Sequence, residues 1–162
     1  MLSKKMEAAL NAQINAELWS AYLYLSMSAH FAAEGKPGIS HWFKAQFDEE
    51  QGHAMKIFEY VVERGGKVEL KAIGEVTQSW ASPLAAFEDT LKHEQIVTAK
   101  INDLVTLARE EKDYATESML QWFVNEQVEE ESTAQGYIEA LRMIKDNGFG
   151  IYTFDKELRG RQ

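Results

Sequence analysis

Glu50 and His53 stand three residues apart in the run Phe47-Asp48-Glu49-Glu50-Gln51-Gly52-His53. On an α-helix that spacing turns a carboxylate and an imidazole to the same face. Both fall in an otherwise apolar stripe of Ile39, Phe43, Gln46, Glu50, His53, Ile57 and Tyr60, whose steps alternate four and three. A carboxylate in a core is costly unless it is protonated, paired or bound to metal. The chain accepts that cost repeatedly. Glu17 sits between Ile14 and Ala21, Glu94 between Leu91 and Thr98, and Glu130 between Gln127 and Ala134, all in stripes of the same kind. Left to themselves, these carboxylates repel one another and some of their pKa values rise. Two divalent cations neutralise Glu17, Glu50, Glu94 and Glu130 by count. Oxygen donors with one nitrogen and no sulfur suit iron or manganese, with zinc as a competitor. Paired metals bridged by a carboxylate can bind and activate a small oxygen ligand.

A second group flanks the first. Glu49 and Glu126 each precede a core position by one residue, about 100° round a helix, and Glu129 precedes Glu130. They read either as an outer cation site sharing Glu130 or as a solvated acidic face continuous with Asp48 and Glu131. Tyr24 lies one heptad beyond Glu17 on the inner stripe. With Trp122 it is a candidate electron relay, weighed against the ordinary packing role of an aromatic at helical spacing. His30, His41 and His93 have no partner at ligand spacing and read as surface or packing residues.

The elements that must position these groups are long helices. From about Ser3 to Ala33 the stripe Met6, Leu10, Ile14, Glu17, Ala21, Tyr24, Ser28 and Phe31 predicts the first, with Gly35 and Pro37-Gly38 as the break. Trp19, Tyr22, Leu23 and Leu25 lie off that stripe, so this helix should be covered on a second side, which points to subunit association. Ile39 to Arg64 predicts the second helix, closed by Gly65-Gly66. Lys67 to Ala81 shows neither helical nor strand period and, being long, should cross the length of the bundle. Ser82-Pro83 opens a third helix with Leu84, Phe87, Leu91, Glu94, Thr98, Ile101, Val105 and Ala108 in register. About Tyr114 to Asp146 forms a fourth, closed by Asn147-Gly148, and Phe149 to Gln162 suits a short fifth. The prediction is an all-α, antiparallel four-helix bundle with one long crossover between helices 2 and 3 and a short C-terminal helix. Glu17 precedes Glu50 by the same 33 residues that separate Glu94 from Gln127, so each half is a helical hairpin delivering one Glu and one helical pair to a common height.

With 162 residues the chain suits one domain, residues 1–162, with a sizeable core. No cysteine excludes disulfides, thiolate metal sites and cysteine catalysis, and fits a reducing cytoplasm. A net charge of −9 argues against nucleic acid and favours cations. No apolar run approaches the roughly 20 residues of a membrane span, and no signal peptide is evident.

With these residues in place the chain resembles the ferritins, specifically the bacterial-type non-haem ferritins, over essentially its whole length. The resemblance rests on Glu17, on Glu49-Glu50-Gln51-Gly52-His53, on Lys92-His93-Glu94, and on the run from Trp122 to Glu131. It implies that Glu17, Glu50 and His53 hold one iron, and that Glu50, Glu94 and Glu130 hold the other. It further implies a third iron site at Glu49, Glu126, Glu129 and Glu130, with Gln127 and Tyr24 beside the centre. The activity implied is ferroxidase, with Fe(II) oxidised by O2 or H2O2 and stored as a ferric mineral in a hollow shell of about twenty-four copies. Bacterioferritins are similar but carry a second Glu-x-x-His, where this chain has Gln127 and Glu130, and a haem-binding methionine where it has Gly52. No haem is therefore expected. A discrete di-iron enzyme and a non-catalytic helical scaffold rank behind iron storage.

Overall fold

In a computed structural model describing residues 1–162, four of the five helices begin on a side chain that accepts one of their free N–H groups. Ser3 Oγ accepts from Met6 N ahead of α1 (Lys4–Ala33), and Ser82 Oγ accepts from Ala85 N ahead of α3 (Pro83–Glu110). Asp113 and Asn147 do the same for α4 (Tyr114–Ile144) and α5 (Gly148–Leu158). Such a cap contributes about 1 kcal/mol. α2 (Pro37–Glu63) has no cap of its own, because Lys36 precedes it without a side-chain bond. Its cap comes from α5. The Asp155 carboxylate accepts from Ile39 N at 2.8 Å, placing a negative group at the positive end of α2. α1 and α2 end at Gly35 (φ +70) and Gly65 (φ +71), where a left-handed turn needs glycine.

α1 packs along α2 and α3 along α4, giving two antiparallel hairpins joined by residues 64–82. That crossover runs down the outside of α1 and is tied to it step by step. Asn11 donates to Lys67 O and accepts from Glu69 N, Trp19 Nε1 donates to Glu75 O, and Ser26 Oγ donates to Thr77 O. The second covered side of α1 is thus supplied largely within the chain, and Leu23 is buried in the core, while Tyr22 stays 48% exposed.

The apolar core divides in two. One cluster joins Met6, Leu10 and Ile14 to Ile57, Val61, Ile101, Leu120 and Phe123. The other joins Tyr24, Met27 and Phe31 to Ile39, Trp42, Phe43, Phe87, Ile138, Leu141, Phe154 and Leu158. Between them lies a belt of buried polar residues, including Glu17, Gln46, Glu50, His53, Glu94, Gln127 and Glu130.

Three expected boundaries shift. α2 begins at Pro37, not Ile39, because proline suits the first helical position and Gly38 packs inside the helix. α4 stops at Ile144, where Lys145 takes the left-handed turn at φ 54, and Asn147 opens α5 instead of closing α4. On α3 the buried face is turned from the expected stripe, with Ala86, Thr90, Val97 and Leu104 inside and Leu84, Leu91 and Thr98 half-buried.

A Cβ on Gly38 would fall 1.6 Å from the Asp155 carbonyl oxygen. Gly38→Ala should therefore push α5 from the end of α2, destabilising the chain by about 1–3 kcal/mol. Thermal melts and hydrogen exchange should find the loss concentrated in residues 148–158; unchanged exchange there would count against the α5 docking described.

Candidate metal centre

Each buried hairpin delivers its polar residues at mid-height. Glu17 comes from α1, Glu50 and His53 from α2, Glu94 from α3, and Gln127 and Glu130 from α4. All are nearly sealed from solvent: Glu17 is 1% exposed, Glu50 2%, His53 5%, Glu94 1% and Glu130 8%. One donor atom from each of Glu17, Glu50 and His53 lies within 4.8 Å of the others, and the same holds for His53, Glu126 and Glu130. His53 joins the two groups, with Nδ1 3.4 Å from Glu50 and Nε2 3.8 Å from Glu126.

Amides orient the carboxylates. Gln13 Nε2 donates to Glu17 Oε1 at 2.7 Å, leaving Oε2 of Glu17 buried with no hydrogen-bond partner. Gln46 Nε2 donates to Glu130 Oε2 at 2.8 Å, and Gln127 Nε2 to Glu94 Oε2 at 3.0 Å. The buried Tyr24 hydroxyl donates to the other oxygen of Glu94. A buried carboxylate oxygen without a donor is expensive, and a cation is the partner its chemistry calls for. The donor set of carboxylates and one imidazole fits iron.

Electrostatics say the same. Burial pushes the Glu50 carboxyl well above its ordinary range, and the charges of Glu94, Glu17 and Glu130 push it further. Burial raises Glu94 to about 7 against the opposing bonds from Tyr24 and Gln127. Burial, then the charge of Glu94, raises Glu130 to about 8. Burial and the Glu94 charge also hold the Tyr24 phenol well above its usual value.

The flanking residues behave differently from one another. Glu126 is half-buried and its carboxyl is raised, chiefly by burial, with His53 opposing. Glu129 is exposed, and Glu49 is held by Arg161 Nη2 at 2.5 Å. Trp122 is 40% exposed with its ring edge-on to His53, centroids 5.4 Å apart. Of the remaining histidines, His93 is packed against Trp19 and Tyr24 and shares a 2.7 Å hydrogen bond with Ser20, and burial lowers it to about 4. His30 packs on Phe31 and Trp80, and His41 lies at the surface against Arg161 O. Gln13, Gln46 and Arg161 carried no site reading in the sequence. Gln13 precedes Glu17 by one turn, and Gln46 precedes Glu50 by one turn, which was the available signal.

Residues 7–144 match the ferritin-like domain family. The chain belongs to the ferritins. It is 44% identical over 161 residues to a bacterial non-heme ferritin of Bacteroides fragilis, covering 99% of this chain and 100% of that one. A bacterial non-heme ferritin of Staphylococcus aureus is 40% identical, with 99% and 97% covered. An open pore ferritin of the hyperthermophilic archaeon Archaeoglobus fulgidus superposes with a TM-score of 0.99 at 51% identity, covering 100% of both chains. Membership carries iron storage with it, and the full-length likeness to bacterial non-heme ferritins carries ferroxidase activity. No helix of this ferritin is long and apolar enough to cross a membrane.

The raised carboxyls set a pH dependence. Glu94 and Glu130 titrate at about 7 and about 8 in the folded ferritin, against 4.5 ordinarily, so the folded state binds more protons than the unfolded one in that window. Their contribution is complete at low pH and is lost as pH rises through the folded values. The melting temperature of metal-free protein should fall from about pH 4.5 to about pH 8, and saturating Zn(II) should remove the fall. A metal-free melting curve that is flat or rising over this range would contradict the assignment.

Proposed function

We propose that Glu17, Glu50 and His53 hold one Fe(II) and that Glu50, Glu94 and Glu130 hold a second, with Glu50 shared. The observation that carries this reading is the orphaned, buried Oε2 of Glu17 within a cluster of carboxylates whose mutual charge has no internal cation. Iron is here the substrate. Two Fe(II) ions supply two electrons, which with two protons take O2 to H2O2, or take H2O2 to two waters. The chain's part is to bring the two ions together, compensate their charge with carboxylates, and exclude bulk water from the belt. Gln127 and Tyr24 fix the orientation of Glu94, and Gln13 fixes Glu17. Glu49, Glu126, Glu129 and Glu130 form an outer cation site on the same belt. The larger surface cavities, such as the one of about 470 Å³ beside Tyr22, Leu25 and Val76, are lined elsewhere, which favours small oxidants over an organic substrate.

The whole chain, residues 1–162, acts as one ferritin-like di-iron domain, and twenty-four such chains build the hollow shell that keeps the ferric mineral. A reducing cytoplasm supplies ferrous iron and suits a chain without cysteine. No haem is required, Gly52 being an exposed position without a side chain.

Replacing the shared ligand, Glu50→Ala, should slow initial Fe(II) oxidation by about a hundredfold, read by stopped-flow absorbance; an unchanged initial rate would sink the site. After aerobic Fe(II) in excess, size-exclusion chromatography should find iron far above about two or three per chain on a very large particle. Iron held at about two per chain on a small species would point instead to a discrete di-iron enzyme.

A further inference from the structure

Arg161 is three residues past the end of α5, yet it is among the most thoroughly engaged side chains near the site. Its guanidinium stacks over Trp42 at 4.4 Å and donates from Nη1 to Trp42 O at 3.1 Å. From Nη2 it donates to Glu49 Oε2 at 2.5 Å and to Gln46 Oε1 at 2.9 Å. The Gln46 amide is thereby used at both ends, since its Nε2 donates to Glu130 Oε2. One cation thus reaches Glu49 directly and Glu130 through a single amide.

The tail that carries it is otherwise lightly fixed. Past Leu158 its backbone bonds run only to the last turn of α5, from Arg159 N and Gly160 N to Glu157 O and from Arg161 N to Leu158 O at 3.4 Å, beside an Arg159–Asp155 ion pair at 3.5 Å and the His41 contact to Arg161 O. Arg161 is 21% exposed at its side chain and Glu49 45%, so water and ions reach the pair. Lys44 is directed to Asp48 and Lys56 lies over Trp122, so neither replaces Arg161 at Glu49.

We propose that Arg161 is the resident counter-ion and positioning residue of the outer carboxylate group, and that a divalent cation binding at Glu49, Glu126, Glu129 and Glu130 displaces its guanidinium and frees the C-terminal tail. This rests on the outer-site reading above. The physical logic is exchange of one cation for another at the same carboxylate. Arg161 keeps Glu49 ordered and neutralised while the site is empty, and thereby lowers the site's affinity for metal, since an ion that takes Glu49 Oε2 must break a charge-assisted hydrogen bond. It also ties site occupancy to the tail, because losing Glu49 removes its charged anchor and leaves only the bonds to Gln46 and Trp42 and the stack on Trp42.

The test is anaerobic calorimetric titration with Zn(II) of wild type, Arg161→Gln, Arg161→Lys and Glu49→Gln, with hydrogen exchange of residues 155–162 alongside. Wild type should take two tight equivalents and a weaker third, and Glu49→Gln should lose the third. Arg161→Gln should tighten the third by about tenfold, more than it shifts either of the first two, with Arg161→Lys in between. A purely structural Arg161 would instead weaken metal binding together with the melting temperature, and that result overturns the proposal. A third equivalent present in wild type but unmoved in Arg161→Gln also overturns it, leaving the outer site intact. A third equivalent missing from both proteins removes the outer site itself. In wild type, exchange of the tail should speed up as the third equivalent fills; slower exchange would show that metal and Arg161 bind together, against displacement.

Discussion

Burying like charges together is the constraint on which this ferritin depends. Glu17, Glu50, Glu94 and Glu130 meet in mid-core, where low dielectric strengthens repulsion and no lysine or arginine enters to answer it. Protons answer it in part, since burial first and neighbouring charge second raise Glu94 to about 7 and Glu130 to about 8. Glutamines answer it in geometry, each presenting an N–H to one carboxylate oxygen and so fixing where the others point. What remains is negative charge that no side chain of the belt answers, and the proposed pair of ferrous ions would answer it. The fold is a frame for keeping that imbalance in place: long helices, hairpins packed along their length, and a crossover stitched to α1 at Asn11, Trp19 and Ser26.

Much of this was legible in the chain because the violations of pattern were periodic. A carboxylate at a core position is conspicuous only if the stripe around it is regular, and the stripes through Glu17 and Glu50 are. Met6 through Phe31 on α1 are buried at every position that the four-three spacing selects. The stripe on α3 was less secure, since Ala86 and Thr90 compete with Leu84 and Leu91 for the interior and hydrophobicity favours the wrong pair. Which residues face inward there is set by the angle at which α3 packs, which hydrophobicity alone does not carry.

The unread parts share a cause: they depend on residues brought together from far apart. Asp155 caps α2 from 116 residues away, and nothing near Lys36 announces it. Arg161 reaches Glu49 across 112 residues. The end of α4 was misread because a lysine, not a glycine, takes the left-handed turn at Lys145. Gln13 and Gln46 were visible as polar residues one turn from a core Glu, but an amide in a helix has many uses, and only the contact selects one.

The belt of polar residues also splits the hydrophobic interior into two blocks, one around Leu10, Ile57 and Phe123 and one around Phe43, Phe87 and Phe154. Hydrophobic contact alone therefore does not run unbroken from end to end of the bundle. On the proposed assignment, an ion held by Glu17 of α1 with Glu50 and His53 of α2, or by Glu94 of α3 and Glu130 of α4 with Glu50, would fasten separate helices at that seam. Cargo would then serve as part of the scaffold, and the two blocks would hold together more firmly full than empty.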